Sequence, residues 1–380
     1  MLWYNRRILN CYQIEQLKTH KYASDNDSIL DPYFQPWWNY VVTLVPVWVA
    51  PNLITITGLI LNMLAAFALI HNCPSAKEEI SGIIPLILAM TMFIYHTLDA
   101  IDGKQARRTG SSNALGELFD HGCDSLSNLV LTAATLSAMN MGYMKPFLMM
   151  SYCYLALVMF YIAHWETYVT GRMRFGKIAA TEAQMTIILI MVFTGTMGSG
   201  LWGKKIYGIL ALRYLPLIFV AFGAIGMMPQ IIRKIQYEGI GKNGTTVAGT
   251  NTITPLVPLT FVLLSTIYIA YNSKENILQT NSLKFILTFG IIFSKITNKL
   301  IVSQMTKSAL PYFDIAFLAP VMMFLNQLSG PFIAENNLLD MILVFLVVDY
   351  VSYCHKICQD ICESTGWKVF KIQPKPQIKD

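Results

Sequence analysis

The sequence predicts an all-α polytopic membrane protein of about ten transmembrane helices, preceded by an amphipathic helix in the membrane interface. Three observations carry this. Of 380 residues, 54% are hydrophobic and only 13% charged, where soluble domains carry roughly a quarter, and mean hydropathy is +0.47. Apolar runs near the ~20 residues that a membrane helix needs recur along the chain. The connections between those runs are alternately rich and poor in Lys and Arg.

The stretch DPYFQPWWNYVVTLVP is aromatic and amphipathic, and is expected to lie in the interface. Spans are then expected near 50–70, 82–102, 114–138, 146–166, 183–200, 209–231, 254–271, 283–303, 312–329 and 338–359. The third starts with charge, so hydropathy alone gives it weakly. Basic residues gather before the first span (Arg6, Arg7, Lys18, Lys21), after the second (Lys104, Arg107, Arg108) and after the fourth (Arg172, Arg174, Lys177), and positive charge marks cytosolic connections. Both termini and the segment around Asp102 are therefore expected in the cytosol, leaving the sequons at Asn26 and Asn243 unused. The last dozen residues read as a flexible tail.

The net charge of +6 is not gathered on a polar face, which argues against a nucleic-acid binder. Seven scattered cysteines imply no disulfide framework. CHKICQDIC has the spacing of one stripe of a membrane helix as much as of a zinc site. GIGKNGTTVAGT lacks the order of a phosphate-binding loop and reads as a connection. The N-terminal residues contain no uncharged apolar core of the signal-peptide kind.

The chemistry concentrates in LDAIDGKQARRTGSSNALGELFDHGCDS, between two apolar runs. Asp99 and Asp102 share a face at the end of the second span. Gly103 follows, able to end the helix or to let a ligand approach the backbone, and RRTGSSN reads as the turn. Ser111, Ser112 or Asn113 caps the next helix, on which Gly116, Asp120 and Asp124 align. The chain reverses between the two faces, so the four carboxylates converge beside an open patch at Gly116. One pair of aspartates would read as helix-end charges facing water. Four in two aligned pairs need a counter-charge at the membrane edge. Divalent metal supplies it: Mg²⁺ or Mn²⁺ suits carboxylate oxygens, and two ions about 4 Å apart suit four shared carboxylates. Arg107 offers a planar fork to phosphate.

The pattern Asp99-x2-Asp102-Gly103-x2-Ala106-Arg107-x8-Gly116-x3-Asp120-x3-Asp124 resembles the signature of the CDP-alcohol phosphotransferases, with every fixed position present. The likeness extends to WNYVVTLVPVWVAPNLITITG, YIAHWETYVTGRMRFGKIAATEAQ and GKNGTTVAGT, which resemble the eukaryotic choline/ethanolamine phosphotransferase branch. One departure is visible: Ile178-Ala179-Ala180 stands where an acidic residue is expected. The resemblance implies a ten-helix enzyme, usually a homodimer, that transfers phosphocholine or phosphoethanolamine from CDP-choline or CDP-ethanolamine to diacylglycerol and releases CMP. It implies residence in the endoplasmic reticulum, or else the Golgi. It divides the chain into an N-terminal region 1–48, a catalytic core 49–235, additional helices with a candidate dimer interface 236–360, and a tail 361–380.

By the family pattern the four aspartates are the metal ligands, with Asp99 and Asp120 the better candidates to bridge. Asn52 matches a nucleotide contact and Arg107 a phosphate contact. A neutral acceptor alcohol needs a base. His121, turned about 100° from Asp120 on a helix, reaches a neighbouring groove without competing for metal. Glu182 is expected to orient it. A choline cation needs aromatic faces, and Tyr95, Tyr161, Trp165 and Tyr168 are the candidates. The rival readings are a donor restricted to CDP-ethanolamine and, from another class, a cation transporter. A charged cluster that occurs once, at the membrane edge and beside an Arg, favours chemistry.

Overall fold

The computed structural model describes residues 6–330 and 332–373. Residues 374–380 of the expected tail lie outside this range. Among the described residues thirteen α-helices run in order. Two precede the bundle, α1 (Cys11–Thr19) and α2 (Asp31–Leu44). The bundle comprises α3 (Pro51–Asn72), α4 (Ile83–Thr109), α5 (Ala114–Ala138), α6 (Pro146–Thr170), α7 (Ala180–Met197), α8 (Tyr214–Tyr237) and α9 (Leu256–Asn272). After the short α10 (Ile277–Thr280) it continues with α11 (Ser282–Met305), α12 (Leu318–Leu328) and α13 (Glu335–Thr365). All ten expected spans are helices. Among the described residues, seven helices are long and apolar enough to cross a membrane unaided. The others of the ten are α5, which opens with acidic residues, and the shorter α9 and α12.

Local signals set the helix ends. Pro51 and Pro146 sit in first turns, where a missing N–H costs nothing. Gly110, at φ 68°, and Gly171, at φ 72°, take the left-handed conformation that closes α4 and α6. The expected turn RRTGSSN is shorter than read. Arg107, Arg108 and Thr109 remain helical, because Gly110 takes the cap and the Arg108 guanidinium binds the Val42 and Val45 carbonyls, each at 2.7 Å, where α2 ends.

The buried axis is α11, whose Phe285, Phe289, Phe293 and Lys295 are enclosed. Lipid is as apolar as these side chains, so close fit and polar contacts hold membrane helices together. Gly290 lets α5 approach: a Cβ there would meet Leu129 Cδ1 at 2.3 Å. The Ser125 hydroxyl donates to Asn298 Oδ1 at 2.8 Å, Asn298 Nδ2 to the Tyr350 hydroxyl at 3.0 Å, and the Ser294 hydroxyl to the Ser125 carbonyl at 2.8 Å. Such bonds contribute about 0.6 kcal/mol each in lipid, and this set joins α5, α11 and α13. Lys295 forms ion pairs with Asp314, at 2.6 Å, and with Asp349, and Lys299 pairs with Asp314 at 2.7 Å.

Among the described residues two small two-stranded sheets were not expected, of which one is the antiparallel pair of Lys205–Ile206 with Leu210–Ala211. β1 (Ser24–Asn26) pairs in parallel with β2 (Met173–Phe175), tying the N-terminal segment to the α6–α7 connection. The N-terminal segment also reaches α13, where the Ile8 amide donates to Asp360 Oδ2 at 2.6 Å. Near the C-terminus, residues 367–373 fold back instead of hanging free. Phe370 meets Phe119 edge-on at 5.7 Å, and the Gln373 amide donates to the Ser111 hydroxyl at 3.3 Å.

Candidate active site

The C-terminal turns of α4 and the first turns of α5 build the site. Helical spacing sets Tyr95, Asp99, Asp102 and Gly103 along one face of α4. Asn113 caps α5 by accepting the Gly116 amide at 3.0 Å, which fixes the phase of Gly116, Asp120 and Asp124. Asp99, Asp120 and Asp124 each offer one oxygen within 4.8 Å of the others, and among the described residues this is the only group of three or more His, Cys, Asp or Glu so arranged. The three thiols of CHKICQDIC are not part of it. Asp99 Oδ1 and Asp120 Oδ1 are buried with no hydrogen-bond partner. An unpartnered buried oxygen is costly, and two facing each other are what a divalent cation satisfies; the donor set, oxygen throughout, fits Mg²⁺ or Mn²⁺. Asp124 Oδ1 accepts from the Tyr95 hydroxyl at 2.6 Å. Asp102 stands at the edge of the cluster, where Thr55 of α3 donates to its Oδ2.

A cavity of about 450 Å³ opens over these carboxylates, walled by Asn52, Asp102, Gly103, Arg107, Gly116 and His121. That is ample for a small ligand. A Cβ on Gly116 would stand 3.5 Å from Asn52 Oδ1, inside this space. Carboxylates at its floor and basic side chains on its wall give the cavity the charges that a phosphate-bearing ligand and a cation would meet.

The comparisons decide the family. The family profile described as CDP-alcohol phosphatidyltransferase matches residues 48–225. Cholinephosphotransferase 1 of Xenopus laevis is 38% identical over 97% of this chain and 92% of its own length. Its namesakes in Danio rerio and Homo sapiens are each 37% identical, over 97% and 96% of this chain and 96% and 89% of their own. The chain belongs to the CDP-alcohol phosphatidyltransferase family.

In this phosphatidyltransferase the expected residues divide clearly. Three of the four expected aspartates, Asp99, Asp120 and Asp124, group together, while Asp102, Asp120, Asn52, Gly103, Arg107, Gly116 and His121 line one cavity. The His121 ring lies 5.2 Å from that of His164 and 5.9 Å from that of Tyr22.

Glu182 does not make the expected pairing. Its carboxylate accepts from the Ser28 hydroxyl at 2.7 Å, the Leu30 amide at 3.0 Å and the Ala179 amide at 2.7 Å. It sits in the first turn of α7, where exposed amides attract a carboxylate, and it anchors the N-terminal segment. Three of the four aromatic candidates are also engaged elsewhere. The Tyr161 hydroxyl donates to the Pro255 carbonyl at 2.7 Å, Trp165 Nε1 to the Thr252 carbonyl at 2.6 Å, and the Tyr168 hydroxyl to the Ser308 carbonyl at 3.0 Å. They brace connections beside α6. Tyr95 alone stands against the carboxylates.

The cavity and its surroundings also hold residues that sequence reasoning missed. Thr55 supports Asp102. His20 Nε2 and Glu117 Oε2 meet at 2.8 Å, and His20, Lys21 and Tyr22 line the cavity. Lys368 and Lys371 line it from the other end of the chain. Only Thr55, four residues after a proline-started helix N-terminus, carried a signal, and a weak one. On the other side of α5 lies an apolar groove of about 570 Å³ between α3, α5, α11 and α13. Phe119 and Cys123 line it, each one residue before a carboxylate ligand candidate, so groove and cavity share the wall of α5.

Proposed function

We propose that this protein transfers phosphocholine from CDP-choline to diacylglycerol, giving phosphatidylcholine and CMP, with CDP-ethanolamine as a second donor. The observation that carries the reading is the convergence of Asp99, Asp120 and Asp124 under a cavity that also holds Asn52, Gly103, Arg107 and Gly116. The near full-length similarity to cholinephosphotransferases supplies the head group.

The roles follow from position. Asp99, Asp102, Asp120 and Asp124 would hold one or two Mg²⁺ or Mn²⁺ ions, which when bound neutralise the diphosphate and polarise the phosphorus under attack. Arg107 grips a phosphate oxygen through its fork. Asn52 and Gly116 receive the nucleotide, Gly116 by leaving room. Diacylglycerol presents its hydroxyl from the apolar groove, its acyl chains against Phe119, Cys123 and Tyr353. His121 takes the proton of that hydroxyl as its oxygen bonds to the β-phosphorus and CMP departs. Tyr95 faces the choline end. We place the protein in the endoplasmic reticulum membrane as a homodimer, with this end of the bundle in the cytosol, on the charge of its connections and on family likeness.

The test is direct. Purified protein receives diacylglycerol with labelled CDP-choline or CDP-ethanolamine, with Mg²⁺, Mn²⁺ or chelator, and CMP release is followed. Metal-dependent release with CDP-choline supports the reading. No release with either donor, or release that survives chelation, overturns it.

A further inference from the structure

The C-terminal hook, residues 366–373, lies beyond the segment matched by the family profile and packs onto the catalytic end of the bundle. Gly366, at φ 75°, ends α13 and turns the chain back. Trp367 and Val369 pack on the cluster that holds Leu115 and Leu118 of α5. Phe370 meets Phe119, and Gln373 closes the loop on itself through its Nε2 and the Lys368 carbonyl at 2.8 Å while its amide reaches Ser111. These contacts fix where the two lysines of the hook stand. Lys368 and Lys371 both line the carboxylate cavity, as Arg107 does. Among the described residues neither ammonium forms an ion pair with a carboxylate. Glu117, which also lines the cavity, is paired with His20. Two uncompensated cations held at a concave rim attract an anion.

We propose that Lys368 and Lys371 of the C-terminal hook complete the donor site, binding the phosphates of the CDP-alcohol together with Arg107. This rests on reading the cavity as a CDP-alcohol site. It adds a binding contribution from outside the family domain. Both side chains are exposed at the cavity mouth, so their substitution leaves the bundle's core untouched.

The test uses the full-length protein in lipid nanodiscs. Steady-state turnover is compared for the wild type, Lys368→Gln/Lys371→Gln and Lys368→Arg/Lys371→Arg. The expected result is a KM for CDP-choline raised about tenfold in the glutamine variant, with kcat and the KM for diacylglycerol within about twofold of wild type. The arginine variant regains the wild-type KM, and the glutamine variant shows a shallower rise of KM with added salt. An unchanged KM for CDP-choline overturns the proposal, as does a fall in kcat alone or a defect that arginine does not repair. A wild type that turns over no CDP-alcohol refutes the function itself, an outcome distinct from these.

Discussion

The Tyr95 hydroxyl donates a hydrogen bond of 2.6 Å to Asp124 Oδ1, joining α4 to α5 at the base of the carboxylate cluster. Tyr95 lies one turn before Asp99, so one helix face carries both a carboxylate and the group that aims a carboxylate of the next helix. Partners of this kind orient metal ligands, and their loss costs about 10–100-fold in metal affinity. Tyr95→Phe should therefore raise the Mn²⁺ concentration for half-maximal turnover by about that factor, with activity recovering at high metal. An unchanged metal requirement would separate Tyr95 from the site.

His121 lines the cavity but is not one of the three grouped residues that could hold a metal ion. His121→Ala should lower kcat by about 10²–10⁴-fold, the contribution of a positioned base, and leave the KM for CDP-choline within a few-fold. Full rate at saturating diacylglycerol would assign the base to another group.

The ion cluster of Lys295, Lys299, Asp314 and Asp349 lies inside the bundle, and the Lys295 side chain is 1% exposed. Removing one partner of a buried pair typically costs about 3–5 kcal/mol, because the remaining charge stays buried. Lys295→Met should lower the thermal unfolding temperature in detergent far more than Lys284→Met, whose pairing with Asp340 is at an exposed position. Equal effects would contradict a structural role for the cluster.

Glu78 lies in the connection between α3 and α4, away from the site. Burial opposes its ionisation, but bonds from the Ser75 hydroxyl, at 2.6 Å, and from backbone amides outweigh this and hold its carboxyl down at about 2. The unfolded chain binds this proton near the ordinary glutamate value, so the stabilisation is fully present above about 4.5 and fades as pH falls toward 2. The group is half-buried in a connection that faces solvent, so screening keeps the effect to about 1 kcal/mol. Glu78→Gln should lower the unfolding temperature slightly at pH 7 and by less at pH 3. A larger loss at pH 3 would reverse the sign.

The helices and the carboxylates were legible in the sequence for a physical reason. Lipid demands long apolar runs, and a metal site on two helices demands acidic residues at helical spacing. The apolar runs of α4 and α5 and the helical spacing of Asp99, Asp120 and Asp124 are both features of local periodicity. What could not be read depends on distant contacts. Nothing near Lys368 or Lys371 shows that the chain returns to Ser111, and nothing near Tyr22 shows that β1 pairs with β2. Tyr161, Trp165 and Tyr168 suited a choline pocket as well as they suit carbonyls at Pro255, Thr252 and Ser308. Glu182 was read by analogy as a partner for His121, yet at the first turn of α7 amides lie closer to hand.

The most direct measurement is Mn²⁺ binding by electron paramagnetic resonance, following the loss of the free-ion signal as protein is added without substrate. The wild type should bind Mn²⁺ saturably, and Asp120→Asn, with its fold checked by size exclusion, should lose most of that binding. A wild type that binds no Mn²⁺, or an Asp120→Asn variant that binds it equally well, would contradict the claim that these carboxylates form a divalent-metal centre.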